Sequence, residues 1–123
     1  MGLTYFFDTY ALFEIIKENK NYLRYIKDIT IITTKLNLME LHYSLLRTVG
    51  KKEADKHYDY FLKFVIEFSD ETIKKANEFK FLNKNKKLSY ADCIGYILAK
   101  MNNIKFLTGD REFENLEYVE FVK

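Results

Sequence analysis

The chain has 123 residues, 48% hydrophobic and 31% charged, with 20 basic against 18 acidic side chains and a formal net charge of +2. That balance suits one globular domain over residues 1–123; it excludes fibrous and disordered classes and neither announces nor opposes nucleic-acid binding. A single cysteine, Cys93, rules out an internal disulfide, and with only His42 and His57 a Cys/His zinc site is disfavoured.

Residues 3–7 alternate poorly and read as a strand buried on both faces, as in a parallel sheet. A helix follows from Thr9, with an apolar stripe of Leu12, Phe13, Ile16 and, extending it, Tyr22. Ile29 to Thr33 is β-branched and reads as the second strand. A helix over Leu36 to Val49 is stopped by Gly50, and Ala54, His57, Tyr58, Phe61, Leu62 and Val65 recur at helical spacing beyond it. Val65 to Phe68 is expected as a short third strand. Ser69 or Asp70 caps a helix through Ile73, Ala76 and Phe79, and Asn83 to Lys87 forms a polar, basic loop. Ser89 caps a helix through Met101; Ile104 to Leu107 and Tyr118 to Val122 complete the strands. Strands alternating with helices point to right-handed βαβ units around a parallel sheet. No stretch approaches the ~18 apolar residues of a membrane span, and no secretory signal pattern opens the chain, so a cytoplasmic protein without membrane contact is expected.

Four acids stand at junctions of these elements, among apolar neighbours rather than in charge runs: Asp8, Glu40, Asp92 and Asp110. Open α/β sheets bind ligands beyond the carboxyl ends of their strands, where Asp8 and Asp110 fall. Glu40 and Asp92 lie near the starts of helices that follow loops and can face the same crevice. Carboxylates gathered in one place repel, so such a cluster implies a cation or shifted pKa values. Each also has a plainer reading. Asp8 suits a helix N-cap, Asp110 suits a turn after Thr108-Gly109, and Glu40 suits a solvated helix face beside Ser44 and Arg47. Asp92 fits a capping box with Ser89, yet its helix is apolar nearly all round and Lys100 is the only other charge on it.

Arg47 lies almost in line with Glu40, where it either balances charge or meets a substrate phosphate. Lys84, Lys86 and Lys87 read as a solvated loop whose position also suits a rim for a nucleic-acid backbone. His42, His57 and Cys93 fall on apolar faces and read as core or edge residues; no Ser-His or Cys-His nucleophile arrangement has a second supporting feature.

Four segments in order carry a likeness: Tyr5-Phe6-Phe7-Asp8-Thr9, Asn37-Leu38-Met39-Glu40-Leu41, Leu88-Ser89-Tyr90-Ala91-Asp92 and Leu107-Thr108-Gly109-Asp110-Arg111-Glu112-Phe113. Over essentially its whole length the chain resembles the PIN-domain nucleases, the family that includes VapC-type toxins. The resemblance implies an α/β fold, a three-layer α/β/α sandwich with a central, mainly parallel sheet. It implies cleavage of RNA with Mg²⁺ or Mn²⁺, with Asp8, Glu40, Asp92 and Asp110 as the acidic quartet. It further implies that Thr9 and Thr108 support the site and that Glu112 takes the place where many relatives carry an Asp. Arg111, Arg47, Lys86 and Lys87 become candidates for holding substrate. Frequent homodimers and, for toxin members, a small antitoxin partner are also implied.

Two other readings compete. A haloacid-dehalogenase-like phosphatase would place a nucleophilic Asp after the first strand and a second Asp two residues on, where this chain has Tyr10. A non-catalytic PIN-like module would bind RNA or protein, and the aromatics Tyr43, Tyr58, Tyr60, Phe61 and Phe64 motivate it.

Overall fold

The computed structural model describes residues 3–123. Four strands, β1 (Leu3–Phe7), β2 (Ile29–Ile32), β3 (Lys105–Thr108) and β4 (Val119–Phe121), form one sheet in the order β2-β1-β3-β4. Every neighbouring pair is parallel, with Phe6 opposite Ile32 on one side and Phe106 on the other. Five helices surround it: α1 (Thr9–Ile16), α2 (Lys35–Thr48), α3 (Lys51–Phe61), α4 (Asp70–Leu82) and α5 (Tyr90–Met101). No helix among the described residues is long and apolar enough to cross a membrane.

Side-chain alternation along the strands divides the interior in two. Tyr5, Phe7 and Leu107 face one way and pack with Leu12, Leu38, Leu41, Leu45, Ala54 and Phe61, so α1, α2 and α3 cover that face. Phe6 and Phe106 face the other way and meet Ala76, Ile94, Ile97, Leu98 and Phe113 beneath α4 and α5. Helices, sheet and helices make three layers, the expected α/β/α sandwich. Phe6, Phe7 and Phe106 are wholly buried, each removal from water being worth roughly 1.5–3 kcal/mol. Helix α5 runs buried from Cys93 to Ala99. It lies so close to the sheet that a Cβ on Gly95 would stand 2.5 Å from the Phe6 ring.

Three expected elements differ. The stripe read as continuing to Tyr22 breaks after α1, because Glu18 takes a left-handed φ of 59°. A separate 3-10 helix, Lys20–Tyr25, then carries Tyr22 into the core, where its hydroxyl donates to the Val122 carbonyl. The helix read through Val65 gives way at Leu62 to a 3-10 turn, Leu62–Phe64. Residues 65–68 make no strand; one bridge joins Val65 to Thr33, and the chain then leaves the sheet edge for α4. The expected caps hold: Gly50, at φ 92°, separates α2 from α3, and Ser69 caps α4.

Candidate active site at the carboxyl ends of the strands

Strands β1 and β3 are parallel neighbours, so the residues that follow them emerge side by side. Asp8 follows β1, and its backbone N–H extends the ladder to the Leu107 carbonyl at 3.3 Å. Its carboxylate is 2% exposed. One oxygen accepts the Ala11 N–H at 2.8 Å, which makes Asp8 the N-cap of α1; the other accepts the Thr108 hydroxyl. The same Thr108 oxygen accepts the Asp110 N–H at 3.0 Å. A single threonine at the end of β3 therefore ties Asp8 to Asp110.

Gly109 between them is set by a close approach. A Cβ there would lie 2.2 Å from the Tyr10 ring and 2.5 Å from the Val122 carbonyl oxygen, and its φ is not positive. Packing is thus the reason for the glycine, while the turn chemistry read at Asp110 is present in its own side chain. Asp110 turns one oxygen to the Glu112 N–H at 3.0 Å, capping the 3-10 turn Arg111–Phe113.

Asp92 reaches the same end because α5 precedes β3 and runs back along the sheet. The capping box with Ser89 is complete: the Ser89 hydroxyl accepts the Asp92 N–H at 3.0 Å, and Asp92 Oδ2 accepts the Ser89 N–H at 2.9 Å. Asp92 is thus a cap and a member of the cluster at once. Glu40, on α2, is partly buried rather than fully solvated, and its Oε1 accepts the Thr9 hydroxyl at 2.8 Å.

A residue the sequence reading left out stands behind that contact. Asn37 is fully buried; its Oδ1 accepts the Thr34 hydroxyl at 2.7 Å and its Nδ2 donates to Thr9 Oγ1 at 3.2 Å. With its amide nitrogen donating, the Thr9 oxygen accepts, which aims the Thr9 hydrogen at Glu40. An amide on the same helical stripe as Leu41 and Leu45 was the signal that could have found it.

Asp8 feels the charges of Asp92 and Asp110, and Asp92 those of Glu40 and Asp110. Burial pushes the Asp8 carboxyl up to about 8 despite the Thr108 and Ala11 donors, and the charges of Asp92 and Asp110 push the same way. Burial also raises Asp92 to about 6, against its Ser89 bonds and with Glu40 and Asp110 adding to the rise. Among the described residues none of the four acids has a Lys, Arg or His within salt-bridge distance, while six Lys or Arg ion pairs and two His–carboxylate contacts form elsewhere. Yet no three Asp, Glu, His or Cys side chains among the described residues already surround a common point at ligating distance. Convergence is therefore partial. Each carboxylate grips its own local donor, leaving Asp92 Oδ1, Asp110 Oδ2 and Glu40 Oε2 without a hydrogen bond among the described residues. In donor type and charge the set fits a hard divalent cation, which neutralisation would draw inward.

The remaining candidates divide. Arg47 lines an open groove of about 300 Å³ with Thr9, Tyr10, Phe13, Glu14, Ser44 and Thr48, alongside Glu40's partner Thr9. Lys86 donates to the Glu112 carbonyl at 2.9 Å, Lys87 is exposed, and Arg111 is paired with Glu114 at 3.5 Å. Glu112 is half-buried and enters the site through its backbone. Tyr10, where a phosphatase would need a second Asp, lays its ring against Gly109. His42 pairs with Asp55 at 2.7 Å, and Cys93 is buried with its thiol pushed up to about 11.

The PIN domain family profile matches residues 5–117. No curated protein matches the chain significantly. Among solved structures, VapC20 of Mycobacterium tuberculosis, a sarcin-ricin loop cleaving toxin, is 17% identical over 96% of each chain, with a TM-score of 0.77. VapBC2 from Rickettsia felis, bound to a DNA fragment from their promoter, is 20% identical over 97% of each chain, with a TM-score of 0.71. PAE2754 from Pyrobaculum aerophilum is 17% identical over 99% of this chain and 92% of that one, with a TM-score of 0.70. At such identities the likeness is one of fold, and it agrees with the profile. The chain belongs to the PIN domain family.

Proposed function

We propose that this protein is a metal-dependent endoribonuclease working through Asp8, Glu40, Asp92 and Asp110. One observation carries the reading: four acids stand about the carboxyl ends of β1 and β3 with no basic partner among the described residues, and Asp8 and Asp92 are pushed upward by burial and by neighbouring acids. A fold stabilised for its own sake would pair or disperse them. Mg²⁺ or Mn²⁺ held there would supply an activated water and offset the charge of the leaving oxygen.

The chain's own residues prepare that chemistry. Thr108 holds Asp8 and Asp110 in fixed relation, Thr9 fixes Glu40, and the capping box fixes Asp92. Arg47 in its groove and the exposed Lys87 offer cations to substrate phosphates. The likeness of fold to a sarcin-ricin loop cleaving toxin and to a toxin–antitoxin complex supports a place in a toxin–antitoxin pair with an antitoxin as partner, and a homodimer is the assembly that the family resemblance implies.

Asp8→Asn is expected to lower Mn²⁺-dependent RNA cleavage by roughly a hundredfold or more while the circular dichroism spectrum is unchanged. Equal cleavage by the two proteins, after contaminating nuclease has been removed, overturns the reading. The incomplete convergence of the carboxylates favours a second reading, a non-catalytic module that binds RNA or protein. Calorimetry that detects no Mn²⁺ binding at millimolar concentration would select it.

A further inference from the structure

A second region of the surface carries uncompensated charge, and its sign is opposite. Lys80 lies in the last turn of α4 and Lys84, Lys86 and Lys87 lie between α4 and α5, and among the described residues none makes an ion pair. Two large aromatic rings stand among them unburied: Phe81 is 68% exposed and Tyr90 64% exposed. Each ring has a lysine over it, with Lys84 Nζ 5.1 Å from the Phe81 centroid and Lys80 Nζ 5.1 Å from the Tyr90 centroid. The segment is also tied down. Lys80 donates to the Leu88 carbonyl, and Lys86 donates to the carbonyl of Glu112, in the turn that Asp110 caps.

The edge connects to the acid cluster by two routes. Tyr90 opens α5 two residues before Asp92, and Lys86 reaches the turn that begins at Asp110. Exposed rings with cations beside them suit one kind of occupant. Single-stranded nucleic acid offers flat bases to stack on the rings and phosphates for the ammonium groups, and each stacked base contributes binding without sequence preference. A folded protein partner would instead bury the rings against apolar surface, and four unpaired lysines would be costly to desolvate there.

We propose that the α4–α5 edge is a platform for single-stranded RNA, in which Tyr90 and Phe81 stack two bases and Lys80, Lys84, Lys86 and Lys87 take the phosphates between them. It rests on the ribonuclease reading for its choice of RNA and extends that reading: the substrate enters unpaired, along this edge, and reaches the acids past Tyr90. Base-paired RNA keeps its bases stacked internally and leaves the rings unused.

The test measures binding without turnover. A short single-stranded RNA carrying 2-aminopurine is titrated with protein in EDTA and followed by anisotropy and by fluorescence quenching. Wild type is expected to bind, to quench the probe and to lose affinity steeply with salt. Tyr90→Ala and Phe81→Ala should each weaken binding by about tenfold and relieve the quenching, while Tyr90→Phe retains both. The double replacement of Lys84 and Lys87 by Gln should lower the log–log salt slope by about 1.4, from two lost phosphate contacts. The alanine variants expose less apolar surface than wild type, so melting curves should coincide. Unchanged affinity and quenching in both alanine variants overturn the proposal, as does equal competition by an acidic polypeptide. A protein that binds in the expected pattern but cleaves nothing with Mn²⁺ removes the hydrolytic reading and leaves the platform. One that cleaves while Tyr90→Ala and Phe81→Ala bind like wild type does the reverse.

Discussion

Two groups of carboxylates in this molecule meet opposite fates. On the α2–α3 pair, Asp55 accepts from Lys51 at 2.5 Å and contacts His42 at 2.7 Å, and these partners, Lys51 first, hold its carboxyl below the usual range. At the carboxyl ends of β1 and β3, Asp8 and Asp92 are pushed upward by burial and by the other acids. The first arrangement is self-sufficient: every charge has its counter-charge. The second has no counter-charge among the described residues, and strongly shifted acids of that kind cluster at functional sites.

Each expected outcome below strains that contrast at one point. The largest should come from Gly109→Ala, whose new methyl meets the Val122 carbonyl as well as the Tyr10 ring. Backbone cannot swing aside as a side-chain tip can, so a loss of about 3 kcal/mol in chemical denaturation is expected, with Asp110 displaced. Wild-type stability would show that the Thr108–Asp110 link tolerates movement. Next, Thr9→Val removes the donor to Glu40 and the acceptor for Asn37, and isothermal titration should find Mn²⁺ affinity reduced by about tenfold. An unaltered affinity would separate Glu40 from the ion.

The third outcome concerns pH. The folded pKa values of Asp8 and Asp92 lie above the ordinary 3.8, so their contribution to stability is whole below about pH 4 and is lost as pH climbs through about 6 and about 8. In metal-free buffer at about pH 8, Asp8→Asn should therefore melt higher than wild type, on the order of 5 °C. At pH 4 the gap should close, and Mn²⁺ should close it from the wild-type side. A variant that melts lower at both pH values would mean the Asp8 charge is already satisfied. The smallest effect belongs to Asp55. Its folded pKa is lowered, so its contribution is present above the unfolded value and lost as pH falls through the folded one, the opposite slope. Asp55→Asn should lower the neutral-pH melting temperature slightly, and high salt should erase the difference because the pair is exposed.

How far the sequence spoke depended on how local each signal was. Strand ends and helix caps are written in a few neighbouring residues, so β1 with Asp8, and Ser89 with Asp92, were legible before any coordinates. Thr108 was legible only through family likeness, since its bond to Asp8 spans 100 residues of chain. Asn37 was missed because its partners Thr9 and Thr34 lie on different elements, though its place on an apolar stripe was visible. The strand expected at residues 65–68 failed for a related reason. β-branched and aromatic residues say that a segment tolerates extension, and only the sheet decides whether a neighbour is there to pair with it. Likewise, the sequence led to the expectation of one crevice for the four acids but could not tell that each would be held by a donor of its own, which leaves their convergence partial.

The strand order has a further bearing on when the acids can meet. β1 is made well before its sheet neighbour β3, Tyr5 pairing with Lys105, and β2 alone can flank it until β3 exists. Pairing across so long an interval is slow, because the intervening loop must close before the contact rewards it. A nascent chain that has not yet released Thr108 and Asp110 holds Asp8 without its threonine partner and lacks one of the four acids. Synthesis itself thus delays the meeting of these carboxylates until β3 and Asp110 are free to fold.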